Sequence, residues 1–142
     1  MLVQSSARTD FMTNTRQPIC FLATQDAAVS ERFYSQVMGL PLVDASPYAL
    51  AFRDGDIMLR VQIIEGYGPA DHTAHGWEVA DISHEIATLT SRGPEFLQFE
   101  HLSQDASGVW TSPDGNKIAW LKDPSGNVLS LTQFCPSNEQ GR

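Results

Sequence analysis

The sequence predicts an α+β fold in which two tandem βαβββ modules form a curved, mixed-sheet, barrel-like cleft. Three observations lead there. The order strand, helix, three strands occurs twice along the chain. The glycine that stops each helix lies 20 residues after Ile19 in the first half (Gly39) and 19 after Ala74 in the second (Gly93). In each half an Asp- and Gly-containing turn joins late strands, at Asp54-Gly55-Asp56 and at Asp123-Pro124-Ser125-Gly126-Asn127. Two copies of so long a unit are too few for a solenoid. One module alone buries too little apolar surface to be stable, so the halves must share a core.

The elements follow in order. Residues 1–16 are polar and aperiodic and read as a flexible leader, with the domain spanning 17–135 and a tail at 136–142. Module 1 covers about 18–64 and module 2 about 74–134. Ile19 to Thr24 is an apolar run suited to a buried strand. Asp26 caps a helix running to Met38, with Val29, Phe33, Val37 and Met38 at helical spacing. Strands follow at 40–43, 48–52 and 57–64. The Gly- and Pro-containing stretch 65–73 links the modules. His75 to Val79 is the next strand. Asp81 or Ser83 then caps a helix with Ile86, Leu89 and Thr90 on one face, stopped by Gly93-Pro94. Strands are expected at 96–99, 109–112, 117–122 and 128–134, with a second hairpin-type turn at Ser112-Pro113-Asp114-Gly115-Asn116.

Composition bounds the function. At 42% hydrophobic and 18% charged, the 142 residues suit a globular chain. The formal charge of −8, with no Lys/Arg cluster, argues against nucleic acid and anionic membranes as partners. No apolar stretch is long enough to span a bilayer and the first residues lack a secretory core, so a cytoplasmic location is expected. The two cysteines, Cys20 and Cys135, are expected as free thiols, and no CxxC pair is present.

Two segments carry a likeness to a known family. Asp26-(x)6-Phe33-Tyr34-(x)4-Gly39-Leu40 resembles the first strand–helix junction of glyoxalase/bleomycin-resistance/extradiol-dioxygenase proteins, the vicinal-oxygen-chelate superfamily. Lys122 to Leu131, around the Asp123-Pro124-Ser125-Gly126-Asn127 turn, resembles their last hairpin. The resemblance spans about 18–134 and implies a small-molecule cleft and a homodimer. It also implies either metal-dependent lyase, isomerase or dioxygenase chemistry or metal-free binding of a ligand. In metal-using members His, Gln or Glu side chains hold a divalent ion. The corresponding positions here are Ile19, Ala74, Ser130 and, for a further position used by some members, Arg60. Ile, Ala and Arg cannot coordinate a divalent cation and a neutral Ser hydroxyl is a poor donor. No cofactor is therefore expected. His75, one residue beyond Ala74, is the weak metal candidate, and a β-bulge would be needed to turn it into the cleft.

The remaining candidates come from the residues themselves. Arg60 and Gln62 alternate with Leu59, Val61 and Ile63, and Ser130 and Thr132 do the same on the last strand, so polar faces occupy matching places in the two modules. Arg60 can clamp a carboxylate or phosphate, or pair with Glu78 or an Asp within the fold. Trp110 and Trp120 can wall a planar ligand or serve as core. Trp77 is expected against the second helix. Glu78 is the candidate catalytic residue, a general base, unless it is exposed or held by an arginine. These readings leave three functions open: a metal-free binder, an enzyme with an unconventional centre, and an accessory subunit with a vestigial cleft.

Overall fold

The computed structural model describes residues 15–136, and the expected leader and tail fall largely outside them. Strand β1 is Ile19–Thr24. Helix α1, Ala27–Arg32, starts at Asp26, whose side chain accepts from the Val29 amide at 3.2 Å. It widens into a π-helical turn over Phe33–Val37, in which the Met38 amide donates to the Phe33 carbonyl. Gly39 then ends it at φ +79°, a conformation that favours glycine. Strands β2 (Leu42–Ala45), β3 (Ala49–Asp54) and β4 (Ile57–Ile63) complete the module.

Module 2 repeats the order: β5 (Thr73–Glu78), α2 (Ile82–Ser91), β6 (Trp110–Thr111), β7 (Lys117–Lys122) and β8 (Val128–Gln133). Asp81, not Ser83, caps α2 by accepting from the His84 amide. The buried stripe of α2 is Ile82, Ile86 and Leu89, and Thr90 lies outside it, exposed. The sheets have equivalent strand orders, β1-β4-β3-β2 and β5-β8-β7-β6, each with its first strand parallel to its last and antiparallel pairs elsewhere. The duplication read from spacing is thus a duplication of topology. The two sheets do not close into one barrel.

One expected strand is reduced to a single bridge. Phe96 pairs with Leu121, the Leu97 amide donates to the Trp120 carbonyl and Gln104 bridges to Trp110, but between these points the chain from 98 to 108 bonds largely to its own side chains. Gln104 accepts from the Phe99 amide at 2.7 Å and donates to the Leu97 and Gly108 carbonyls at 2.9 and 2.7 Å. Asp105 accepts from the Val109 amide, the Ser107 hydroxyl and the Ser107 amide, which together outweigh burial and hold its carboxyl below the usual range. A side-chain amide at the right place satisfies the backbone as a sheet edge would.

The core lies between the modules. Leu22, Phe33, Tyr34, Leu50, Phe52, Leu59 and Val61 of module 1 form one cluster with Leu121 and Leu129 of module 2. A second cluster centres on Ile82, Ile86, Leu89 and Leu131, against which Val37 and Met38 of module 1 pack. A polar seam closes the junction. Buried Asp123 accepts from Tyr34 Oη at 2.5 Å, from Asn127 Nδ2 at 2.8 Å and from the Ser125 and Asn127 amides at 2.9 Å. Asn127 Nδ2 also donates to the Ala23 carbonyl, and its Oδ1 accepts from Tyr67. Burial, then the charge and hydrogen bond of Asp123, push the Tyr34 phenol far above its ordinary value, so it remains a donor.

Candidate functional site

Strand alternation and pairing define which side chains share a face. In the first sheet, Leu59, Val61, Phe52 and Leu22 point into the core, so their neighbours point away. Register places Phe21 beside Arg60, and Arg60 beside Ala51. Ala23, Gln62 and Ala49 form the next row. This open face is apolar around its arginine: Phe21 is 54% exposed, and Ile19 and Met58 are also uncovered. Arg60 is half-buried and makes no hydrogen bond or ion pair among the described residues. At the end of the sheet lies a cleft of about 290 Å³ lined by Ile19, Val43, Arg53 and Met58, and not by Phe21, Arg60 or Gln62.

The second sheet has its own open face. Gly76 pairs with Ser130 and Ser130 with Trp120, while Glu78, Thr132, Ile118 and Trp110 form the adjacent row. Trp110 and Trp120 stand 6.4 Å apart with rings inclined at 37°. Phe99 meets Trp120 edge-on at 5.5 Å, and His101 lies 5.7 Å from Phe99. Trp120 Nε1 donates to Thr73 Oγ1 at 3.2 Å, which fixes the indole plane. A Cβ at Gly76 would come within 2.3 Å of Ser130 Oγ and 3.0 Å of the Ser130 carbonyl oxygen, so a side chain there forces Ser130 to shift.

The sequence-derived site residues therefore fall into two groups. Arg60 and Gln62 share the open face of the first sheet; Trp110, Trp120, Ser130 and Glu78 hold open-face positions on the second. Both faces lie on the far side of their sheets from the shared core. Glu78, the last residue of an edge strand, also lines a groove at that edge. Trp77 packs on the α2 cluster, as its parity requires. Phe21 and Phe99 were not singled out from sequence. Nothing local separates Phe21 from its apolar neighbours Cys20 and Leu22, and the approach of Phe99 to Trp120 depends on the 97–108 loop.

The bulge that His75 would need is present, but it acts the other way. Thr73 pairs with Val128 and His75 with Leu129, so Ala74 is the extra residue. The bulge turns His75 toward the module junction and puts Gly76 opposite Ser130. His75 Nε2 lies 2.8 Å from Asp54 Oδ2, and Trp77 Nε1 donates to both Asp54 oxygens at 2.9 and 3.0 Å. Burial pushes the Asp54 carboxyl up, but the His75 and Trp77 hydrogen bonds and the His75 charge outweigh it and hold the group below its usual value. Among the described residues no three His, Cys, Asp or Glu side chains come together. The open faces offer a guanidinium, a hydroxyl, aromatic rings, one amide on the first sheet (Gln62) and one carboxylate on the second (Glu78); a single carboxylate is too few ligands for a divalent cation.

No protein-family model matches the chain, and no curated protein is similar to it in sequence. Solved structures resemble it in fold. Lactoylglutathione lyase from Agrobacterium tumefaciens shares 20% identity at a TM-score of 0.62, the alignment covering 83% of this chain and 94% of that one. The bleomycin resistance determinant encoded on transposon Tn5 shares 22% at 0.65, covering 83% and 97%. TnmS3, an antibiotic-binding protein from a Streptomyces species, shares 18% at 0.62, covering 84% and 96%. No helix among the described residues is long and apolar enough to cross a membrane. With its paired modules, strand order and near full-length alignments, the chain has the fold of the glyoxalase and bleomycin-resistance proteins.

Proposed function

We propose that the chain is a metal-independent binder of a small planar anion, held on the open sheet faces of a homodimer. The observation that carries this reading is Arg60: a half-buried guanidinium on a central strand, between Phe21 and Ala51, with no acceptor among the described residues. Such a group lacks the protein partner that would repay its partial desolvation, and a ligand carboxylate, sulfonate or phosphate supplies one. The inclined Trp110 and Trp120 rings provide the flat surface for the rest of the ligand. Support for a pair of chains comes from the faces themselves. They back onto one shared core, so a cleft using both calls for the second face from another copy. The exposed Ile19, Phe21, Val43 and Met58 are the apolar surface such a copy would cover. TnmS3 is an antibiotic-binding protein, which supports binding as a use of this fold, while the Agrobacterium lyase carries the alternative of turnover.

The test is titration with 8-anilinonaphthalene-1-sulfonate, a planar fluorescent anion, with and without EDTA, alongside native mass spectrometry. The expected result is saturable binding to a metal-free dimer, indifferent to chelator and about tenfold weaker in Arg60→Gln, the loss of one charged hydrogen-bond partner. One metal ion per chain, or binding abolished by EDTA, would overturn it in favour of a metal-dependent lyase, isomerase or dioxygenase, with Glu78 the first base to test.

A further inference from the structure

We infer that the groove where the end of α1 meets α2 is a second binding site, taking a small organic ammonium ion with an apolar body. The groove measures about 220 Å³ and draws its walls from both modules: Met38 and Leu40 after α1, Trp77 on β5, and Leu89 of α2. None of Arg60, Trp110, Trp120 or Ser130 lines it. Its size is below the range of roughly 300–1,000 Å³ that holds drug-sized ligands, so it suits a one-ring amine.

Charge selects the occupant. The groove carries two carboxylates, Glu78 and Glu85, against one cation, Arg92. Arg92 keeps its charge at the groove while its Nη1 donates to the Val37 carbonyl at 2.7 Å, so the lining is negative by one carboxylate. Glu85 is half-buried, and its carboxylate has no hydrogen bond or ion pair among the described residues. A neutral apolar guest would further desolvate that carboxylate without compensation, and an anion would be repelled. An ammonium group satisfies Glu85, while the Trp77 ring and the Met38 and Leu89 side chains receive the hydrocarbon part. The Trp77 indole N–H is already committed to Asp54, which leaves its ring as the surface the groove can offer a cation.

The experiment is a titration of the whole chain with phenethylammonium, and separately with its anionic counterpart 3-phenylpropanoate, followed by amide and indole NMR shifts. Phenethylammonium is expected to shift the Trp77 indole and Leu89 amide signals saturably, while 3-phenylpropanoate leaves them in place. Glu85→Gln should raise the dissociation constant for the ammonium at least threefold with the spectrum otherwise intact. Arg60→Gln should leave it unchanged, which separates this site from the open faces. Equal shifts from both probes, no shifts from either, or an unaltered constant in Glu85→Gln would overturn the assignment.

Discussion

The seam between the modules and the open faces of the sheets use polar residues in opposite ways. In the seam every polar atom of Asp123 and Asn127 has a partner within the chain, and Tyr34, Thr24, Ser30 and Ser125 complete the set. On the open faces Arg60, Gln62 and Ser130 have none among the described residues, although Arg60 and Ser130 are half-buried. A satisfied buried network specifies how two modules dock; polar groups without partners on an apolar face contribute nothing to that docking. The contrast also explains why the segments that resemble a family inform so well about fold. Tyr34 and the Asp123–Asn127 turn lie in the seam, not on the open faces.

Breaking the seam should give the largest effect. Asp123→Ala leaves Tyr34 Oη, Asn127 Nδ2 and two backbone amides without their acceptor, at a cost of roughly 3–5 kcal/mol in urea denaturation. A loss below about 1 kcal/mol would mean that water replaces the carboxylate and that the seam does not specify the docking.

The next test sits where the seam's order gives way to the open face. Gly76→Ala places a Cβ against Ser130 Oγ and should cost about 1–2 kcal/mol as an overpacked contact. Ser130→Ala removes that oxygen, so the double variant should recover most of the loss in thermal unfolding. Additive losses would show that the 3.0 Å approach to the Ser130 carbonyl, not the hydroxyl, is what forbids a side chain.

How much of this was legible beforehand depends on range. Local chemistry was: Asp26 and Asp81 as caps, Gly39 as a stop and the Asp123–Asn127 turn all act within a few residues of where they stand. The alternation of Arg60 and Gln62 with Leu59 and Val61 gave the polar face of β4 for the same reason. The bulge at Ala74 was not legible, because nothing in Thr73-Ala74-His75-Gly76 favours it locally. It is held by Asp54, 21 residues from His75 and in the other module. The strand expected at 96–99 failed in a similar way, since Gln104 and Asp105 supply partners that periodicity cannot foresee. The exposure of Phe21 in an apolar run likewise follows from which face of β1 the second module covers.

The clamp on Asp54 gives a pH-dependent test of the junction. A carboxyl held below its usual value contributes stability that is present above its unfolded pKa of about 3.9 and is lost as the pH falls through its lower folded value. Asp54→Asn keeps one acceptor for Trp77 but loses the charge that holds His75, at a cost of about 1–2 kcal/mol near neutrality. Urea denaturation from pH 7 down to 3 should show the gap between variant and parent closing below about pH 4. A gap constant across that range would assign the cost to packing at the β5 bulge instead of to the carboxylate's charge.

The smallest effect on stability is expected where the proposed effect on binding is greatest. Arg60 makes no hydrogen bond or ion pair among the described residues, so Arg60→Gln should change unfolding free energy by no more than about 0.5 kcal/mol. Removing an uncompensated, half-buried charge even leaves room for a slight gain in the chain measured alone. The planar anion should reverse that order: added at saturation, it should raise the melting temperature of the parent and raise that of the variant much less, because only the parent's folded state binds it tightly. Equal stabilisation of both would move the anion site away from Arg60. A variant that loses several kcal/mol without ligand would place Arg60 with the seam, among residues that hold the fold together.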